Sequence, residues 1–316
     1  MSRLPVAAGL ATGVVLDALF GDPDRLHPVA GFGAAASLLE RRCYADDRIA
    51  GLGFAVAATA PVLAGAVAGQ RLSRSRPLAR TVLIAAATWT VLGGASLRRI
   101  AAGLAGRLDR ADPDGARDLL PSLCGRDPAS LDRAGLVRAT IESVAENTSD
   151  SVVAPLFWGS VAGLPGLLGY RAINTLDAMV GHRSTRYHRF GTACARLDDV
   201  ANLVPARLTA GLTLLAAPLV QGSARAGWAA WRADAHRHPS PNAGQCEAAA
   251  AGVLGIRLGG PTVYQGRVES RPALGRGRQP ELADIHRAVR LSRAVQYGAL
   301  ALCAAAALLT RRSVPQ

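Results

Sequence analysis

The apolar residues of this chain fall in long uninterrupted blocks, not in the narrow stripes of surface helices. Residues 4–20, 49–69, 81–97, 152–169, 202–220 and 295–309 are each nearly free of charge and rich in Ala, Leu, Val and Gly. A helix needs roughly 20 such residues to cross the hydrocarbon core, with a lower limit near 17. The blocks at 49–69 and 81–97 meet that standard, and the block at 295–309 is short for it. The first block carries Asp17 near its end and runs straight into polar sequence without an A-x-A cleavage pattern. It therefore reads as a retained membrane helix and not as a signal peptide. The alternative is a soluble all-α protein with Ala-rich buried helices, but a soluble domain rarely hides several uncharged stretches of this length. The pattern predicts an all-α, polytopic integral membrane protein with about four to six membrane segments, some of them re-entrant. Residues 1–316 are expected to form a single membrane-embedded domain with polar helical loops at 98–151 and 221–294.

The two middle blocks differ from the others. Residues 152–169 contain Pro155, Gly159, Gly163, Pro165, Gly166 and Gly169, and residues 202–220 contain Pro205, Arg207 and Pro218. An Arg at the centre of a spanning helix costs about 2.5–3.5 kcal/mol on insertion scales. Broken backbone at membrane depth is tolerated where it is buried in protein or lines a polar cavity. These blocks are expected to surround a site without crossing plainly. The stretch 98–150 carries turn signals at Asp112-Pro113-Asp114-Gly115 and Asp127-Pro128, around short amphipathic pieces. The stretch 221–294 reads as loop-rich because of Pro239, Pro241, Pro261, Pro272 and Pro280, until residues 281–294 turn helical and lead into the last block.

Charge changes this picture little. The net charge is +13, yet the chain has no Lys, and aromatics are only 4%, too few for a base-stacking platform. Nucleic acid is therefore not an expected partner. Arg71, Arg74, Arg76 and Arg80 crowd one short connection between apolar blocks, the pattern of a cytoplasmic loop in a multi-pass protein of the inner or plasma membrane. Without Lys there is no Schiff-base lysine and no G-x-x-x-x-G-K-[ST] phosphate loop, so phosphate must be held by Arg or backbone amides. The five cysteines are widely spaced and never in C-x-x-C, which predicts small buried residues and neither disulfides nor zinc.

Three segments could carry chemistry. In ESVAENTSDS (142–151), Glu142, Glu146 and Asp150 recur every four residues and would stack on one helix face. Like charges at that spacing need a cation, and Mg²⁺ prefers carboxylate oxygens; Asn147 adds a further oxygen. A solvated helix face is the competing account. In residues 171–199, Arg183, Arg186 and Arg189 recur every three residues among His182, Tyr187 and His188, with Asn174, Asp177, Asp198 and Asp199 nearby. Such an Arg group suits phosphate, or equally a membrane-surface anchor; His182 could act as a base or merely hydrogen-bond. In HRHPSPNAGQCE (236–247), Asn242 and Gly244 belong to a tight turn whose amides could hold an anion.

The segments GDPDRLHPV, SVAENTSDSVVAPLFW, GLPGLLGYRAINTLDAMVGHR, RYHRFG, ARLDDVANLVPARLT, SPNAG and GIRLGG, taken in order, resemble the adenosylcobinamide-phosphate synthase family, called CobD or CbiB. The resemblance extends across nearly the whole chain. It implies a membrane enzyme that joins (R)-1-amino-2-propanol phosphate to the propionate carboxylate of adenosylcobyric acid, with ATP and Mg²⁺. Other membrane enzymes of cobalamin nucleotide-loop assembly are implied as partners. Chemistry then suggests Glu142, Glu146 and Asp150 for metal, with Asn147 and Asp177 nearby. Arg183 and Arg186 would take phosphate, with Tyr187 and Asn174 beside substrate, and Asp198, Asp199 and His182 are base candidates. Asn242 and Gly244 would form the anion turn. Ser151, His182, Ser184-Thr185 and Gln245-Cys246 depart from the family pattern, and His182, in place of an aromatic, weakens its claim as base. A corrinoid transporter or a non-catalytic scaffold remain the competing classes; the acidic run beside Arg residues favours the enzyme. If every block crossed, the motifs at 142–150, 174–199 and 240–244 could not all face one side, so non-crossing middle blocks are expected.

Overall fold

The structure, a computed structural model, describes residues 4–22, 27–182, 184–264 and 267–309, and for residues 261–264 and 267–270 only the backbone. In chain order its helices begin with α1 (Leu4–Phe20), α2 (Pro28–Cys43), α3 (Arg48–Leu72), α4 (Pro77–Val91), α5 (Gly94–Asp109), α6 (Pro113–Leu119) and α7 (Arg133–Thr148). They continue with α8 (Ala154–Ala162), α9 (Leu164–Leu176), α10 (Thr192–Leu215), α11 (Ala224–Asp234), α12 (Ala243–Leu254) and α13 (Leu282–Leu309). One antiparallel hairpin, β1 (Leu258–Tyr264) with β2 (Arg267–Leu274), interrupts an otherwise helical chain. Three stretches are long and apolar enough to cross a membrane: Arg48–Leu72, Pro77–Asp109 and Leu282–Leu309. Contacts divide the chain into one unit of Met1–Gly93, Ala154–Asn202 and Leu300–Gln316, and another of Gly94–Val153 and Leu203–Ala299.

The first unit holds most of the apolar blocks. Asp47 starts α3 by accepting the amides of Ile49 and Ala50 at 2.8 and 3.0 Å, and the helix then runs 25 residues, about 37 Å at 1.5 Å per residue. Its Ile49, Leu52, Val56 and Leu63 remain exposed along one side, an apolar face suited to lipid. Helix α1 lies on α4 through Gly9 and Gly13, where an added Cβ would overlap Ile84 and Thr88. Small residues four apart let two backbones approach closely.

Block 152–169 does not form one span. Gly163, at φ +69°, reverses the chain between α8 and α9, so that Gly166 lies against the Trp158 carbonyl. The nine residues of α8 reach only about 14 Å, far short of a hydrocarbon core of about 30 Å. Gln70 Oε1 accepts the Leu164 amide at 3.0 Å and closes the start of α9. Pro205 inside α10 has no N–H for the Ala201 carbonyl, and the Trp158 indole donates to that carbonyl at 3.0 Å instead. The broken backbone is thus satisfied by neighbouring side chains, as the Pro/Gly content predicts.

The second unit contains both long polar stretches. Its core packs Leu104 and Leu108 of α5, Leu136 and Ile141 of α7, and the alanines of α12. The stretch expected to be loop-rich contains α11, α12 and the hairpin instead; Pro261 and Pro272 sit within its two strands. An edge position tolerates proline because one row of amides has no strand partner.

Candidate active site

In the second unit, α7, α12 and the β-hairpin bring acidic and basic side chains together out of water. Asp132 caps α7 through the Gly135 amide at 2.7 Å and so fixes where its first turn begins. Ten residues later Glu142 is buried; its Oε2 pairs with Arg126, and its Oε1 accepts the Gly259 amide at 2.6 Å. One turn further, Glu146 is half-buried. Desolvation raises its carboxyl, Arg271 and Arg126 oppose that rise, and Glu142 adds to it.

From α12 comes Glu247, 1% exposed, and neither of its carboxylate oxygens has a hydrogen-bond partner. The nearest cationic groups, His238 Nε2 and Arg271 Nη1, stand 3.9 and 4.0 Å from its Oε1, beyond hydrogen-bonding reach. Burial, then the charges of Glu142 and Glu146, push this carboxyl well above the ordinary range, with Arg271 and Arg126 opposing. Burial and the Arg271 charge hold His238 down to about 4, so its imidazole is neutral. His238 Nδ1 faces Ser240, accepting its amide at 3.1 Å, and Nε2 faces Arg271 Nη1 at 3.5 Å.

The other expected residues of this unit have structural partners. Asn147 Nδ2 donates to the Ser143 carbonyl at 2.9 Å and the Ser143 hydroxyl at 3.0 Å. Asp150 falls in a wide π turn, Ser149–Val153, that follows α7; such turns recur at functional sites. In the SPNAG turn, Ser240 Oγ already takes the Asn242 and Ala243 amides at 3.3 and 3.2 Å. Gly244 is packed against the Ala235 carbonyl and His238. Arg237, Arg257 and Arg276 line an open recess of about 380 Å³.

In the first unit, Asp198 is hydrogen-bonded on both oxygens, by Asn174 at 3.2 Å and Asn202 at 3.0 Å, and Tyr170 donates to Asn202 at 2.9 Å. Asp199, next along α10, is half-buried. Asp177 opens a second π turn, Asp177–Gly181. Arg186 pairs with Glu40 at 2.8 Å and stacks 4.0 Å above the Tyr44 ring, while Tyr187 donates to Glu40 at 3.3 Å and packs edge-on to His182. Arg183 lies outside the described residues. The structure therefore assigns Glu142, Glu146, Asn147, Asp150, Asn242 and Gly244 to one unit, and Asn174, Asp177, His182, Arg186, Tyr187, Asp198 and Asp199 to the other.

The family model described as CobD/Cbib protein matches residues 10–292. The chain belongs to the CobD/CbiB family. A Mycobacterium tuberculosis (strain ATCC 25618 / H37Rv) protein named Cobalamin biosynthesis protein CobD is 56% identical over 299 residues, 94% of each chain. A protein of the same name from Geobacter metallireducens is 46% identical, covering 85% of this chain and 86% of its own. One from Rhodobacter capsulatus is 42% identical, covering 92% and 94%. No solved structure matches the chain.

For this family member, the fit to Mg²⁺ can be tested on the residues themselves. Glu142 is occupied by Arg126 and the Gly259 amide, and among the described residues no three His, Cys, Asp or Glu side chains are grouped to hold a metal. The acidic run alone does not make a metal cage. What the sequence reading missed is Glu247 with Arg126, His238 and Arg271, residues scattered over 146 positions (126–271). Their only local signal was an acidic residue set in an otherwise apolar, Ala-rich helix.

Proposed function

We propose that this chain is an adenosylcobinamide-phosphate synthase of the inner or plasma membrane, attaching (R)-1-amino-2-propanol phosphate to the propionate carboxylate of adenosylcobyric acid. The reading is supported by membership of a family whose relatives are named for cobalamin biosynthesis. The observation that carries it is the cluster of buried Glu142, Glu247, Arg126 and His238 with half-buried Glu146 and Arg271. Burying unsatisfied charge costs several kcal/mol, and such groups concentrate where chemistry needs them. A carboxylate oxygen is a poor leaving group, and ATP, entering as its Mg²⁺ complex, would supply the phosphoryl activation that amide formation requires. Arg126 and Arg271 would stabilise developing negative charge in a site from which water is largely excluded. The Arg-lined recess at Arg237, Arg257 and Arg276 suits phosphate oxygens, and Asp150, on its π turn, would be a carboxylate for a cation brought in with ATP.

The test is conversion of adenosylcobyric acid by the purified, detergent-solubilised chain with ATP, Mg²⁺ and aminopropanol phosphate. Product that depends on ATP supports the reading. Corrinoid binding by folded protein without product refutes it and leaves a scaffold or a transporter.

A further inference from the structure

Glu247 is the one described carboxylate that is fully buried with both oxygens unbonded. Its neighbours His238 and Arg271 stand back at 3.9 and 4.0 Å, a separation that leaves a hydrogen-bond donor to be supplied from elsewhere. The neutral imidazole cannot serve as counter-ion. Arg271 comes from β2, and the hairpin is held to α7 through the Gly259 amide on Glu142. A carboxyl group and a guanidinium are thus held side by side at 4.0 Å, without a hydrogen bond between them.

We propose that Glu247 is the subsite for a primary ammonium group on a small phosphorylated amine, with Arg271 facing its phosphate. A carboxylate beside a guanidinium is the complement of a short zwitterion: the ammonium donates up to three hydrogen bonds to the carboxylate, and the phosphate accepts from the guanidinium. The inference rests on the amide-forming reading, for which it names the amine site that the acidic run, the SPNAG turn and the Arg group did not supply. An acidic residue used this way discriminates by charge, because a ligand lacking the ammonium leaves Glu247 buried and unanswered.

Equilibrium binding of two probes to the full chain in detergent tests this without ATP or corrinoid, so it can fail or succeed independently of the proposed reaction. The probes are 1-amino-2-propanol phosphate and isopropyl phosphate, which lacks only the amine. The wild-type chain binds the amine about tenfold or more tighter, the effect of one charge-assisted pair. Glu247→Gln loses that preference while retaining affinity for isopropyl phosphate, and Glu247→Asp keeps part of it. Equal binding of the two probes by wild type overturns the proposal, whatever the variants do. An unchanged preference in a folded Glu247→Gln variant overturns it as well.

Discussion

Asp198 in the first unit and Glu247 in the second are both acidic residues among polar neighbours, and the chain treats them in opposite ways. Asn174 and Asn202 hydrogen-bond each oxygen of Asp198, and Tyr170 holds Asn202 in turn. The result is a closed network in which two hydrogen bonds tie α9 to α10 and a third, from Asn202 to Asp198, runs along α10 itself. Glu247 has burial without bonds. A satisfied buried network fixes a structure, whereas a carboxylate that is desolvated and left unbonded is a liability unless something binds there. The contrast assigns scaffolding to the first and chemistry to the second.

The largest effect follows from breaking the one strong pair of the charged cluster. Arg126→Leu leaves Glu142 buried with only the Gly259 amide, and losing one partner of a buried pair costs about 3–5 kcal/mol. Thermal unfolding in detergent should show the second unit melting early, and an unchanged melting curve would mean that the Arg126–Glu142 pair does not hold the unit together. In the first unit, Gly13→Leu drives a side chain into Thr88 and should cost about 1–3 kcal/mol, the range for overpacking, read in the same melt.

Glu247→Gln reverses the sign. Glu247's folded-state value lies above its ordinary value of 4.5. Its contribution is therefore most favourable below pH 4.5 and is lost as pH rises through the folded value. Replacing the buried, unbonded carboxyl should leave the melting temperature equal or higher, most clearly toward high pH, while abolishing turnover, the trade expected when a site is strained for function. His238 works the other way: its value drops from 6.5 to about 4, so its contribution is full above pH 6.5 and is lost as pH falls toward 4. That loss is on the order of 3 kcal/mol, and His238→Asn should flatten this part of a melting-temperature profile. The smallest effect is expected from the closed network, where Tyr170→Phe removes one hydrogen bond and costs about 1 kcal/mol with turnover retained.

The sequence exposes the two halves of the contrast unequally. Long apolar blocks announce α3 and α13 because a lipid-facing helix needs little beyond composition. The break at Gly163 is equally plain, whereas Pro205 costs α10 one backbone bond without ending the helix. The acidic run places Glu142 and Glu146 correctly on one face of α7, but the four-residue rule lapses at Asp150, where the π turn changes the residues per turn. The hairpin was hidden by its prolines, and α2 by a weak, Gly-rich pattern. For Glu247 the only local sign is one acidic residue in an Ala-rich helix. Its meaning comes from α7, from β2 and from the turn holding His238, and only long-range packing brings those together.

The measurement that bears most directly on the account is the rate of ATP-dependent conversion of adenosylcobyric acid by wild type and Glu247→Gln, purified together and matched for folded protein by melting curve. The account predicts steady product from wild type and a loss of about 100-fold or more in the variant, the scale of losing one essential acid–base or charge interaction, with a melting temperature equal to or above that of wild type. A folded variant that turns over at the wild-type rate would contradict it and return the chemistry to the residues of the first unit.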